Sequence, residues 1–215
     1  MIAVMILSLI IQTVLKSKFA KYSKVPAAFT GADVARKMLA DHGIRDVEVC
    51  SVKGMLTDHY DPERRVINLR EDVYHGSSIA AAAVAAHETG HAVQHAEAYG
   101  PLRLRSAMVP AVNFSNRIVS WVLLLGVIFV EASPVLLYVG IGLFAVTTLF
   151  SFVTLPVEID ASERAVRWLE VARITDDETS PMAAEALRWA AYTYVIAALG
   201  SLATLLYYVG LARRD

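Results

Sequence analysis

Ser78-Ile79-Ala80-Ala81-Ala82-Ala83-Val84-Ala85-Ala86-His87-Glu88-Thr89-Gly90-His91-Ala92-Val93-Gln94 reads as one helix, and the rest of the chain can be asked how it serves that helix. Ser78 is a good N-cap, the alanine run is the strongest helix former available, and no proline interrupts before Pro101. The expected helix covers residues 78–97. Inside it, HETGH is an instance of HExxH. Residues four apart share a helix face, so the imidazoles of His87 and His91 can converge on one metal ion, with Glu88 beside them.

Two neutral imidazoles and one further protein ligand would hold a divalent zinc with a position left for water, lowering that water's pKa towards about 7. Glu88 would take the water's proton and pass it to the leaving amine, which is what separates this pattern from a structural two-histidine site. A chance match would leave two surface histidines and a solvated glutamate. Against it stand the small residues Ala82, Ala83, Ala86 and Gly90, which allow another helix to come close enough to supply the missing ligand.

Composition places this helix in a membrane protein. Of 215 residues, 56% are hydrophobic and only 19% charged, with a mean hydropathy of +0.47, too apolar for an ordinary soluble domain. The formal net charge of -1 carries no basic excess, so nucleic acid is not an expected partner. Cys50 is the lone cysteine, which excludes an intrachain disulfide.

Met1 to Leu15 is nearly unbroken apolar sequence followed by Lys16, Lys18, Lys21 and Lys24; it reads as an N-terminal anchor over residues 1–18 rather than a cleaved signal, whose charge would come first. Residues 19–117 read as the soluble part. Thr30 caps a helix from Ala32 to His42 that stops at Gly43, Ile44 to Val52 alternates as a strand, Gly54 breaks it, and Arg65 to Leu69 is a second strand. Leu102 to Arg117 reads as a basic amphipathic segment leading to the bilayer surface. Residues 118–155 form a transmembrane hairpin turning at Glu131-Ala132-Ser133-Pro134, and 189–211 a last span.

Between these spans, residues 156–188 return to the side of HETGH, with Pro156 as an expected helix start. Glu158 lies in its first turn, beside the small residues Ala161, Ser162 and Ala165 that suit packing against Ala83, Ala86 and Gly90. It is the candidate third zinc ligand. A solvated glutamate favoured by the helix dipole accounts for that position equally well.

The segments HETGHAVQH, LTDHYDP (56–62), VEIDASERA and AAYTYVIAALG (190–200) together resemble the YugP-like membrane zinc metallopeptidases, prokaryotic proteins similar in layout to the HtpX-type proteases. The resemblance runs from about Phe19 to Tyr208. It implies one zinc per protomer on His87, His91 and Glu158, with Glu88 as catalytic base. The implied fold is a mainly α membrane protein with about four transmembrane helices and a small α+β zincin-like domain.

Other residues have two readings. His59 and Tyr60 offer donors for an oxyanion or an orienting bond to a ligand, but Asp58, Asp61 and Pro62 also make DHYDP a turn. Asp160 and Arg164 either support the ligands from behind or solvate their helix; His95 reads as a rim histidine. Two rival functions fit the sequence less well. A site-2-type intramembrane protease would carry HExxH inside a long apolar span, whereas the run before His87 is short and alanine-rich; a silent zinc-binding scaffold or adaptor would have no need of Glu88. The excess of Lys and Arg on the active-site side, Arg117 included, against Glu131 in the hairpin turn, places that side in the cytoplasm of a multi-pass cell-membrane protein. Expected partners are the bilayer and peptide or protein substrates near it; any membrane partner protein is unknown.

Overall fold

The computed structural model describes residues 2–54 and 57–213; Met1 of the anchor, Leu56 of LTDHYDP and Arg214 of the tail fall outside them. Seven helices and three strands follow in the order α1 (Ile2–Tyr22), α2 (Gly31–Asp41), β1 (Glu48–Val52), β2 (His59–Asp61), β3 (Val66–Arg70), α3 (Glu71–Tyr74), α4 (Ile79–Ala96), α5 (Gly100–Ile128), α6 (Val135–Val171) and α7 (Ser180–Ala212). This is a mainly α membrane protein with a small α+β part. Helices α1, α5, α6 and α7 are long and apolar enough to cross a membrane.

The HETGH helix forms as its caps dictate. The Ser78 hydroxyl accepts from the Ala81 amide at 3.2 Å, and the helix runs to Ala96. It is buried on every side over its first two turns, where alanines keep its girth small and neighbours near. Thr30 caps α2 by accepting from Asp33 N, and Gly43 takes the left-handed conformation at φ 70° that ends it.

The sheet is ordered β1-β3-β2, with β1 parallel and β2 antiparallel to β3. Ile67 and Leu69 of β3 point into one core with Val34 and Met38 of α2 and the alanine face of α4. The strand expected over 44–52 forms only at Glu48–Val52, the part with a partner in β3. The segment 44–47 lies outside it, with Ile44 and Val47 packed on the same core. His59–Asp61, within an expected turn, is a strand instead; the turn comes just after it, where Asp61 accepts from the amides of Glu63 and Arg64.

The larger corrections concern the long helices. Pro156 is not a helix start but lies inside α6. A proline there forfeits one backbone bond and costs about 3 kcal/mol. The helix continues because Val157, Ala161, Ala165 and Leu169 form a fully buried stripe that would be lost if it broke. At about 1.5 Å per residue α6 is about 55 Å long, against a hydrocarbon slab of about 30 Å. A helix of this length is enough to cross such a layer and to carry Glu158 beyond it. Similarly, α5 runs unbroken from Gly100 through Pro110, and α7 begins at Ser180 rather than near Trp189.

Packing runs α5 on α6, α6 on α7 and α7 on α1, with α4 lying across α6 and α7. The α5–α6 register is tight: a Cβ on Gly126 would lie 2.7 Å from Leu137 Cα, and one on Gly140 would lie 2.7 Å from the Leu123 side chain. Nearer the HETGH helix the same antiparallel register brings Arg105 to Glu158. Arg117, expected at the bilayer surface, is consequently level with Val146 in the middle of the α6 apolar run.

Gly90 sets the α4–α6 approach. A Cβ on it would lie 2.7 Å from the backbone oxygen of Ala161, which cannot yield without moving α6. Gly90→Ala is expected to cost about 1–3 kcal/mol through overpacking, more than the about 1 kcal/mol that alanine gains in helix propensity. Thermal unfolding in detergent checks this: the variant should melt lower than wild type.

Candidate metal centre

Two elements build the centre. From α4 come His87 and His91, one helical turn apart with ring centroids 4.8 Å from each other; from α6 comes Glu158. Glu158 Oε2 lies 3.4 Å from His87 Nε2 and 3.6 Å from His91 Nε2. Each residue offers a ligand atom, and all three atoms fall within 4.8 Å of one another. Zinc bonds of about 2.0–2.1 Å at tetrahedral angles put ligand atoms roughly 3.3–3.5 Å apart, so the spacing suits that ion.

The outer nitrogen of each ring has a partner, and at His91 that partner fixes the tautomer. Gln94 is fully buried, and its amide donates to Val157 O at 2.8 Å and to Asp160 Oδ2 at 2.7 Å, two groups that can only accept. Its Oε1 is thereby turned to His91 Nδ1, 3.0 Å away, which must carry the proton. His91 Nε2 is left with a bare lone pair facing Glu158. On the other ring, His87 Nδ1 meets the Ser162 hydroxyl at 3.1 Å, leaving its Nε2 inward as well.

Glu158 Oε2 and the two imidazole Nε2 atoms therefore face one another. Glu158 is only 3% exposed, and its Oε2 is buried with no hydrogen-bond partner among the described residues. An orphaned carboxylate oxygen in such a place is costly unless a cation sits there. The field shows the same demand: burial works against a charge on His91, but the Glu158 carboxylate outweighs it and raises the affinity of that ring for a proton. The donor set of two imidazoles and one carboxylate fits zinc.

Support extends outward. Asp160 Oδ2 also accepts from Arg164 Nε at 2.6 Å, and Arg164 Nη1 reaches Glu97 at 2.6 Å, closing a chain from His91 through Gln94 to the C-terminal end of α4. Arg105 Nη1 lies 3.6 Å from Glu158 Oε1, the oxygen turned away from the histidines. The Tyr194 phenol of α7 is near enough to Glu158 and Glu88 to feel both carboxylates. Glu88 itself is half-buried and has no hydrogen-bond partner among the described residues.

The other candidates from the sequence are distributed differently. Asp160 and Arg164 stand behind His91 through Gln94. His59 has both ring nitrogens engaged within the sheet region, Nδ1 with Thr57 O at 2.7 Å and Nε2 with Asn68 at 3.1 Å. The Tyr60 hydroxyl meets His95 Nδ1 at 2.8 Å, so these two join β2 to α4 away from the ligand cluster; burial, with the Asp61 carboxylate adding to it, pushes that phenol up. Gln94 and Arg105 are not among the candidates that the sequence suggests. A signal for Gln94 does exist, since three residues after His91 it shares the ligand face. Arg105 has none, because only the α5–α6 register brings it to Glu158.

A protein family described as "Putative neutral zinc metallopeptidase" matches residues 1–213. The chain is also 45% identical over 210 residues to a Bacillus subtilis (strain 168) protein named "Putative membrane protease YugP", covering 97% of this chain and 92% of that relative. No solved structure matches significantly.

Proposed function

The chain belongs to that neutral zinc metallopeptidase family, and from this premise we infer that it is an integral membrane endopeptidase hydrolysing peptide bonds at the cytoplasmic surface of the bilayer. The observation that carries the reading is the buried, partnerless Oε2 of Glu158 facing two imidazole Nε2 atoms, with half-buried Glu88 one residue from the first. His87, His91 and Glu158 would hold one zinc ion. Bound there, zinc supplies a Lewis acid that acidifies water towards a pKa of about 7 and polarises a peptide carbonyl.

The chain's own residues do the rest. Glu88 takes the proton of the attacking water on a carboxylate oxygen and delivers it to the leaving amine nitrogen. Gln94 keeps a proton on His91 Nδ1, and Ser162 meets His87 Nδ1, so that both rings present Nε2 to Glu158. Arg105 holds Glu158 Oε1, leaving Oε2 for the metal.

Placement supports a surface site. Glu158 is 23 positions beyond Val135, about 35 Å along α6 and past a slab of about 30 Å. Lys16, Lys18, Lys21, Lys24, Arg103, Arg105, Arg164, Arg167, Arg173 and Arg188 belong to that end, against Glu131 at the hairpin turn, so the positive-inside rule puts the site in the cytoplasm of a multi-pass protein. The substrates are peptides or proteins presented near the bilayer.

Metal removal tests the proposal. Purified protein should carry one zinc per protomer and cleave an unfolded model protein. Chelation should abolish cleavage and one equivalent of zinc should restore it. Stoichiometric zinc with no cleavage of any unfolded protein would point to a scaffold instead.

A further inference from the structure

Outside the metal centre, the least explained feature is one side of α5. Asn113, Asn116, Arg117 and Ser120 are all exposed, and with Ser106 they recur at helical spacing to form one polar sector. The opposite side of the helix, with Val112, Val119 and Leu123, packs on α6. None of the Asn113, Asn116 and Arg117 side chains has a hydrogen-bond or ion-pair partner among the described residues.

Depth makes this sector costly. Arg117 is 11 positions from the end of α5 at Ile128 and 12 from Arg105, which pairs with Glu158 at the bilayer surface. These spans are about 16 Å and about 18 Å, whereas a snorkelling arginine reaches only roughly 7 Å. At the same level α6 shows bare apolar surface, with Leu149 57% exposed. An arginine in mid-bilayer facing away from its own bundle calls for a partner that faces it.

A second copy cannot neutralise it. The stretches 2–22, 100–128, 135–157 and 186–212, which supply every apolar span, contain no aspartate or glutamate. Apposing the sectors of two copies would instead bring like charges together at Arg117. We propose that the Arg117 sector of α5 docks a transmembrane helix of another protein that carries a carboxylate near the bilayer centre, the asparagines and Ser120 hydrogen-bonding along the same seam. Because α5 also supplies Arg105 to the metal centre, such a helix would be held beside the active site by its own end of the rod. The proposal stands independently of catalysis.

Energy transfer between labelled full-length protein and synthetic single-span leucine-rich helices in phosphatidylcholine vesicles tests it. A helix with one central glutamate should associate at least tenfold more tightly than the same helix with leucine there. Arg117→Leu should remove that preference and Arg117→Lys should keep it, with zinc content unchanged in both. Equal association of the two helices with wild type, or a preference surviving in Arg117→Leu, overturns the proposal. So does wild-type protein that self-associates without peptide while Arg117→Leu stays monomeric, since a second copy would then cover the sector.

Discussion

Glu88→Gln is expected to retain one zinc per protomer and to lower kcat/KM on an unfolded protein substrate by about 10²–10⁴-fold. The reason lies in what Glu88 does not touch. The atoms that would hold the metal belong to His87, His91 and Glu158, and the outer ring nitrogens meet Gln94 and Ser162, so an isosteric amide at position 88 disturbs neither set. What disappears is the ability to accept a proton, worth about 2.7–5.5 kcal/mol of barrier at this fold-change. Glu88 is half-buried with no hydrogen-bond partner among the described residues, so the substitution should leave folding unchanged. Metal analysis and initial rates on the same preparation check both halves. A variant that keeps zinc and the wild-type rate would remove Glu88 from the mechanism; loss of zinc would make it a structural residue.

Much of this centre was legible because it is local. HETGH lies on one helix, and helical spacing alone brings His87 and His91 together. Glu158 was legible only as a candidate, since its distance from the histidines depends on how α6 packs across α4; Gly90 against Ala161 settles that. Pro156 misled because proline is a good helix start, yet here the buried stripe from Val157 to Leu169 carries the helix through it. The level of Arg117 beside Val146 follows from the Gly126–Leu137 and Gly140–Leu123 contacts, which no single-segment reading contains. The strand at His59–Asp61 is three residues long among turn formers, and exists only because β3 offers it a partner.

Glu158→Ala is expected to lose zinc outright and with it all cleavage, while Glu158→Asp should retain zinc weakly. Two imidazoles alone leave the ion short of a protein ligand and of the only negative charge in the cluster. Asp160 cannot simply replace it: it is already committed through Oδ2 to Gln94 and Arg164, and turning it inward would break the chain that holds His91. The loss should also reach stability. In wild type without metal, Glu158 faces two imidazole Nε2 atoms on one side and Arg105 on the other, and zinc that binds the folded form alone should raise the melting temperature markedly. In Glu158→Ala that zinc-dependent rise should vanish, because the site no longer binds, although the apo forms melt at comparable temperatures: removing the orphaned oxygen offsets the unpaired Arg105. Melting curves of wild type and variant with and without zinc, read beside metal content, separate a lost ligand from a lost fold. A variant that still gains stability with stoichiometric zinc would show that the third ligand is a different acid, and a variant that fails to fold without metal would show that Glu158 holds α4 to α6 through more than the ion.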